Sequence, residues 1–350
     1  FEEDLDLLVD AGFDAYRFSF SWSRLFPDGK NLNTKGLDFY KQLLDAINSR
    51  GLRPYGTAYH WDMPQALGAL GGWTIRDNAE RFGEYMGFIA RNFGDDLENL
   101  VSINEPWCVA WLSHYLGEHA PGLRDLSSAV KASHYVCLGH GLGVQAARAE
   151  TEKPIGVVLN FTPGRLETKT KINTEALERY EAVTNTWYLS AIIKGNYPDV
   201  ALQELEGYLP NSWKSDLQNI KEPIDFIGIN YYTTVLLKSG GDKFPFVEII
   251  ERDLPKTDMG WDVEPAGLRD AINLVSDYAP NLPLYITENG MASKNAIADI
   301  DRIEYYKQHL NEVAKAAETL PVNGYFAWSL LDNFEWALGY DKRFGLVHVD

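Results

Sequence analysis

Cysteine is scarce in this chain: Cys108 and Cys137 are the only two among 350 residues. A single pair of thiols cannot build a disulfide framework, so reduced cysteines in a cytoplasmic protein are the expectation. Basic charge is also short, with 32 Lys and Arg against 50 Asp and Glu and a formal net charge of −18. That balance argues against a nucleic-acid binder, which needs a basic face to track phosphates, and against anionic membrane surfaces. A neutral or cationic small-molecule partner is the simpler expectation. No uninterrupted apolar run approaches the ~18 residues of a membrane span, and no basic-then-apolar leader opens the chain. No GxGxxG or GxxxxGK[ST] pattern opens a helix, which leaves an open dinucleotide-binding sheet poorly supported. No Ser/Gly linker or charge block divides the halves, so residues 1–350 read as one domain.

What is present points to a packed enzyme-sized domain. A hydrophobic fraction of 45% supplies a sizeable core and excludes a disordered polymer. Short apolar runs at 15–20, 54–61, 100–105, 155–161, 225–232, 284–289 and 324–331 alternate with amphipathic helical patterns. Most runs are near-continuously apolar, as expected of parallel strands covered on both faces. Between them, Leu37, Tyr40, Leu44 and Ile47 fall at helical spacing before Gly51, and Ala79, Phe82, Met86, Ile89 and Phe93 do so before Gly94. The first dozen residues already read as a helix. The class is therefore α/β, and the expected architecture is a (β/α)8 TIM barrel. Seven strands are found where eight are needed. The first strand and the final helix are expected to lie beyond Phe1 and Asp350, with the barrel incomplete at both ends.

In such a barrel the catalytic groups stand at the carboxyl ends of the strands. Those ends are rich in polar and aromatic residues here: Arg17 before Trp22, His60-Trp61-Asp62, Asn104-Glu105-Pro106, Asn230-Tyr231-Tyr232, Thr287-Glu288-Asn289-Gly290, and Trp328 before Asp332 to Trp336. Glu105 and Glu288 each close an apolar strand beside an Asn. An ionised carboxylate is rarely placed there without a task or a partner. Two carboxylates are what glycoside hydrolysis requires, one to attack the anomeric carbon and one to protonate the departing oxygen.

The segments Tyr16 to Trp22, Tyr59 to Asp62, Asn104 to Trp107, Asn230 to Tyr232, Ile286 to Gly290 and Trp328 to Trp336 resemble glycoside hydrolase family one, the family of retaining β-glucosidases. The likeness runs the length of the chain in the family's order. It implies a (β/α)8 barrel that works without cofactor or metal, with Glu105 as acid/base and Glu288 as nucleophile. It implies that Arg17 and Tyr232 flank the nucleophile. It assigns His60, Trp61, Asn104, Asn230, Trp328, Glu335 and Trp336 to the sugar, with Asn104 on the 2-hydroxyl, Glu335 on the 4- and 6-hydroxyls and Trp328 beneath the ring. A carboxylate at Glu335 repels a 6-phosphate, so unphosphorylated β-glucosides are expected, with β-galactosides or β-fucosides tolerated. The family's first-strand Gln has no counterpart here, and the segment after Gly290, residues 291–302, is short.

Other candidates are weaker. His114, His119, His134 and His140 match no HxH or HExxH pattern and read as satisfied or surface histidines. Cys108, three residues after Glu105, reads as packing behind it and not as a nucleophile. Trp73, Trp107, Trp111 and Trp261 suit either an aglycone site or the outer core. A competing functional class is a non-catalytic glycan-binding or scaffold protein with a degenerate barrel. Within enzymes, transfer to an acceptor sugar competes with hydrolysis. Oligomeric state has no signal in the sequence.

Overall fold

The computed structural model describes residues 1–294 and 297–350; Asn295 and Ala296, inside the short 291–302 segment, lie outside the described residues. The chain forms two compact units, Phe1–Val158 with Tyr208–Phe226, and Leu159–Gly207 with Ile227–Asp350. Strand and helix alternate through both, the repeating order of the α/β barrel class.

In the first unit, β1 (Ala15–Ser19), β2 (Arg53–Tyr59), β3 (Asn99–Asn104) and the start of β4 (Ile155–Phe161) pair in parallel and in chain order. β3 is buried along its whole length, which is why its sequence lacks strict alternation. The helices behave as their periodicity predicts. Thr34–Ser49 buries Tyr40, Leu44 and Ile47 while Leu37, in its first turn, stays half-buried, and the chain turns at Gly51 with φ 73°. Arg76–Phe93 buries Ala79, Phe82, Met86, Ile89 and Phe93. A second helix, Leu126–Arg148, lies very close to it. A Cβ on Gly87 would stand 3.1 Å from that of Ala146, and one on Gly143 2.6 Å from Met86 Sδ. On another face of the same helix, Gly141 meets the short helix Trp213–Ile220, where a Cβ would lie 1.9 Å from the Asn219 carbonyl oxygen.

In the second unit, β6 (Phe226–Tyr231), β9 (Leu284–Asn289) and β10 (Val322–Ala327) run parallel, with Asn230 opposite Glu288 and Asn289 opposite Ala327. Three further strands form a small separate sheet: β5 (Gly164–Leu166), β7 (Val235–Ser239) and β8 (Val247–Ile250). No periodicity announced that sheet, because strands of three to five residues show too few alternations to register. Among the described residues no helix is long and apolar enough to cross a membrane.

Five apolar runs end earlier as strands than the sequence suggests, those at 15–20 and 225–232 by one residue, at Ser19 and Tyr231. Those at 54–61 and 100–105 stop at Tyr59 and Asn104, because Trp61 and Glu105 take φ of 81° and 48°. No strand continues through a left-handed residue. The run at 324–331 stops at Ala327; Trp328 donates one last backbone bond to Asn289 and the chain turns away.

Candidate active site

The first unit gathers Arg17, His60, Trp61, Asn104 and Glu105 around the end of β3. Asn104 is fully buried and is the hub. Its Oδ1 accepts from Arg17 Nη2 at 2.6 Å, and its Nδ2 stands 3.2 Å from His60 Nε2. Arginine only donates, so the Arg17 contact fixes which end of the amide is oxygen. The amide nitrogen then donates to His60 Nε2, which puts the imidazole proton on Nδ1. The Asn104 carbonyl accepts from the Trp61 indole at 2.9 Å. Its N–H is engaged there, and its ring stands 5.2 Å from His60 and 5.1 Å from His119, centroid to centroid.

Glu105 sits at the joint between strand and helix. Its N–H still donates to Val158 in the sheet, while its carbonyl already accepts from Val109 in the helix. Pro106 begins that helix, where a missing N–H costs nothing. The φ of 48° makes the joint possible, and a left-handed non-glycine residue is a strained conformation held by its surroundings. The carboxyl is buried, and Cys108 Sγ donates to its Oε2 at 3.0 Å. Cys108 therefore lies behind Glu105, as its spacing suggested.

Asp62 follows Trp61 in the chain. Burial pushes its carboxyl up to about 6, against a short hydrogen bond from Ser21 Oγ that lowers it. Three of the four histidines have partners of their own, while His119 stands against Trp61. His140 shares a hydrogen with Ser102, His134 pairs with Asp216, and His114 meets the Val109 carbonyl. Burial lowers all three, His140 to about 3. Among the described residues no group of three or more His, Cys, Asp or Glu could hold a metal. Trp73 and Trp111 are core residues, Trp73 donating to the Tyr59 hydroxyl at 3.0 Å. Trp107 and Trp261 are half-buried.

The second unit gathers Tyr232, Glu288, Trp328 and Glu335. Glu288 is buried at the end of β9, and the Tyr232 hydroxyl donates to its Oε2 at 2.7 Å. The Tyr232 ring is flanked by Trp261 at 5.4 Å and Phe344 at 6.0 Å. Asn230 is fully buried, and its Oδ1 accepts from Thr287 at 2.7 Å. Asn289 is locked between the Tyr231 carbonyl, Tyr305 and Tyr325. Glu335 has a buried oxygen, Oε2, with no hydrogen-bond partner among the described residues. Burial first and the Glu288 charge second push its carboxyl up to about 7, partly offset by the Trp328 indole. Trp336, next to it, takes φ 46°. Among the described residues four non-glycine residues are left-handed, and three of them are Trp61, Glu105 and Trp336.

The family model for glycosyl hydrolase family 1 matches residues 1–350. The chain belongs to glycosyl hydrolase family 1. Among its relatives is a β-glucosidase A of Thermotoga maritima, 41% identical over 100% of this chain and 80% of the relative. A bifunctional β-D-glucosidase/β-D-fucosidase of Bifidobacterium breve is 40% identical over 100% of this chain and 82% of its own length. A solved family 1 β-glucosidase of T. maritima in complex with isofagomine lactam matches at TM-score 0.96 and 41% identity, covering 100% of this chain and 81% of that one. This likeness carries the (β/α)8-barrel fold to the family 1 chain described here.

Proposed function

We propose that this family 1 enzyme is a retaining β-glucosidase, cleaving terminal unphosphorylated β-D-glucosyl residues through a covalent glycosyl-enzyme. The observation that carries the reading is the family match over the whole chain, with a glutamate at each of two strand ends. Residues 1–350 act as one catalytic barrel domain in this proposal. Glu288 is the nucleophile. Its carboxylate attacks the anomeric carbon, the glycosidic C–O bond breaks, and the proton of Glu105 goes to the leaving oxygen. In the second step water attacks the same carbon, gives its proton to Glu105, and the ester to Glu288 breaks. Retaining pairs work at about 5–5.5 Å.

The surrounding residues fit those tasks. The Tyr232 hydroxyl on Glu288 favours the ionised nucleophile, and Arg17 is assigned beside it. Asn104 is assigned to the 2-hydroxyl and His60, through Nδ1–H, to a neighbouring one. Trp61, Trp328 and Trp336 are assigned to the sugar through their rings, and Asn230 is assigned to it as well. Glu335, with an unpartnered oxygen, is assigned to the 4- and 6-hydroxyls, where two donors satisfy it and a phosphate is repelled. The Bifidobacterium relative supports tolerance of β-fucosides. Thiols at Cys108 and Cys137 support a cytoplasmic location.

The test is time-resolved NMR of aryl β-glucoside cleavage. The β-anomer of glucose is expected first; α-product appearing first rules out retention. Glu288→Gly is expected to stop turnover yet accept an α-glucosyl fluoride for synthesis. Glu105→Ala is expected to spare activated aryl leaving groups relative to alkyl ones.

A further inference from the structure

We propose that Cys108 is a positioning residue for Glu105, its thiol holding the carboxyl in one rotamer and favouring its ionised form. The inference rests on the acid/base reading of Glu105 and adds a second residue to it. The thiol is buried, and its sulfur lies 3.0 Å from Glu105 Oε2. The backbone builds that contact. Glu105 leaves the sheet in a left-handed conformation, and the helix that follows brings the residue three positions on back over the glutamate side chain.

That helix is not an ordinary one. Cys108–Leu116 is π-helical, a wide-turn geometry that is rare and concentrated at functional sites. The wide turn is tied from the next turn down. Ser113 Oγ lies 3.2 Å from the Cys108 carbonyl and 2.7 Å from that of Val109, and His114 Nδ1 is 3.2 Å from the latter. Cys108 is thus held by its own backbone at the place where its S–H meets the carboxylate. Cys137 makes the contrast: it is a core side chain in the helix Leu126–Arg148, and burial alone pushes its thiol up.

The chemistry follows from the direction of the bond. A donor to a carboxylate stabilises the charged form, so the thiol lowers the proton affinity of Glu105 and helps it serve as base in the second step. Removing the donor should raise the proton affinity and loosen the rotamer together.

The experiment is the pH profile of kcat/KM on an alkyl β-glucoside for the full chain and its variants. In Cys108→Ala the alkaline limb is expected to move up by about one pH unit, the scale of one hydrogen bond to a charged group. Cys108→Val keeps bulk without a donor and should move the limb equally, covering the case in which the smaller side chain disturbs folding. Cys108→Ser restores a donor and should return the limb to the wild-type position. An unmoved limb in both Ala and Val variants overturns the inference and leaves Glu105 as acid/base. Glu335, whose carboxyl also titrates near 7, is the second group able to give an alkaline limb, so Glu335→Gln is run beside Glu105→Ala. A limb that keeps its wild-type position in both Glu105→Ala and Glu335→Gln overturns both readings, since the titrating group is then neither.

Discussion

At the scale of single residues, the two glutamates are each served by a donor from a different chemical class. Glu288 has a phenol and Glu105 a thiol. The phenol is the stronger donor, and Tyr232→Phe removes it without changing ring packing on Trp261 and Phe344. Loss of a hydrogen bond to a charged group is worth roughly 1.5–3 kcal/mol, so kcat/KM is expected to fall about 10- to 100-fold. Steady-state kinetics on an aryl glucoside, with unfolding followed in parallel, separates this loss from one of stability. Much of the candidate site was legible at this scale because each residue stands beside another of its kind in the string, as Asn104 does with Glu105. Cys108 was legible only as packing three residues after Glu105, because a sequence spacing does not show a thiol's hydrogen bond. The Ser21–Asp62 and Thr287–Asn230 bonds were not, since nothing local links residues 41 or 57 positions apart.

At the scale of elements, glycine decides how closely helices meet. Gly141 has no room for a side chain against the Asn219 carbonyl, and backbone cannot swing aside as a side-chain tip does. Gly141→Ala is expected to destabilise the protein by about 1–3 kcal/mol through overpacking, read as a lower denaturant midpoint at unchanged slope. Alanine at Gly68, where nothing lies within 4 Å, is the matched control. The sequence pattern found the long helices because their buried faces recur every three to four residues. It placed strand ends too late where aromatic residues such as Trp61 and Trp328 prolong the run after the backbone has left strand geometry, and at Glu105, where the left-handed backbone ends the strand one residue before the glutamate. Aromatic residues at a site look like core to a pattern that reads only polarity.

At the scale of the whole molecule, acidity is both abundant and partly buried. Asp62 and Glu335 hold their protons to about 6 and about 7, above the 3.8 and 4.5 of the free side chains. An acid whose proton affinity is raised by folding costs stability as pH rises, because the unfolded chain ionises first. The loss from Glu335 begins near pH 4.5 and is complete just above 7. Thermal unfolding of wild type and Glu335→Gln across pH 4 to 8 is expected to diverge over that window, the variant gaining relative stability toward the alkaline side. Parallel curves would remove the raised proton affinity from the account. The fold class was legible from the alternation of strand and helix over the whole chain, a long-range regularity that no single misplaced boundary disturbs.

The contact from Arg17 through Asn104 to His60 has a consequence for substitution by shape alone. Aspartate matches asparagine in size, yet it presents acceptors on both sides. The guanidinium would be undisturbed, but the imidazole would have to turn its hydrogen inward, leaving a bare lone pair facing outward. An isosteric change would thus reverse the polarity of a side chain that it neither replaces nor moves.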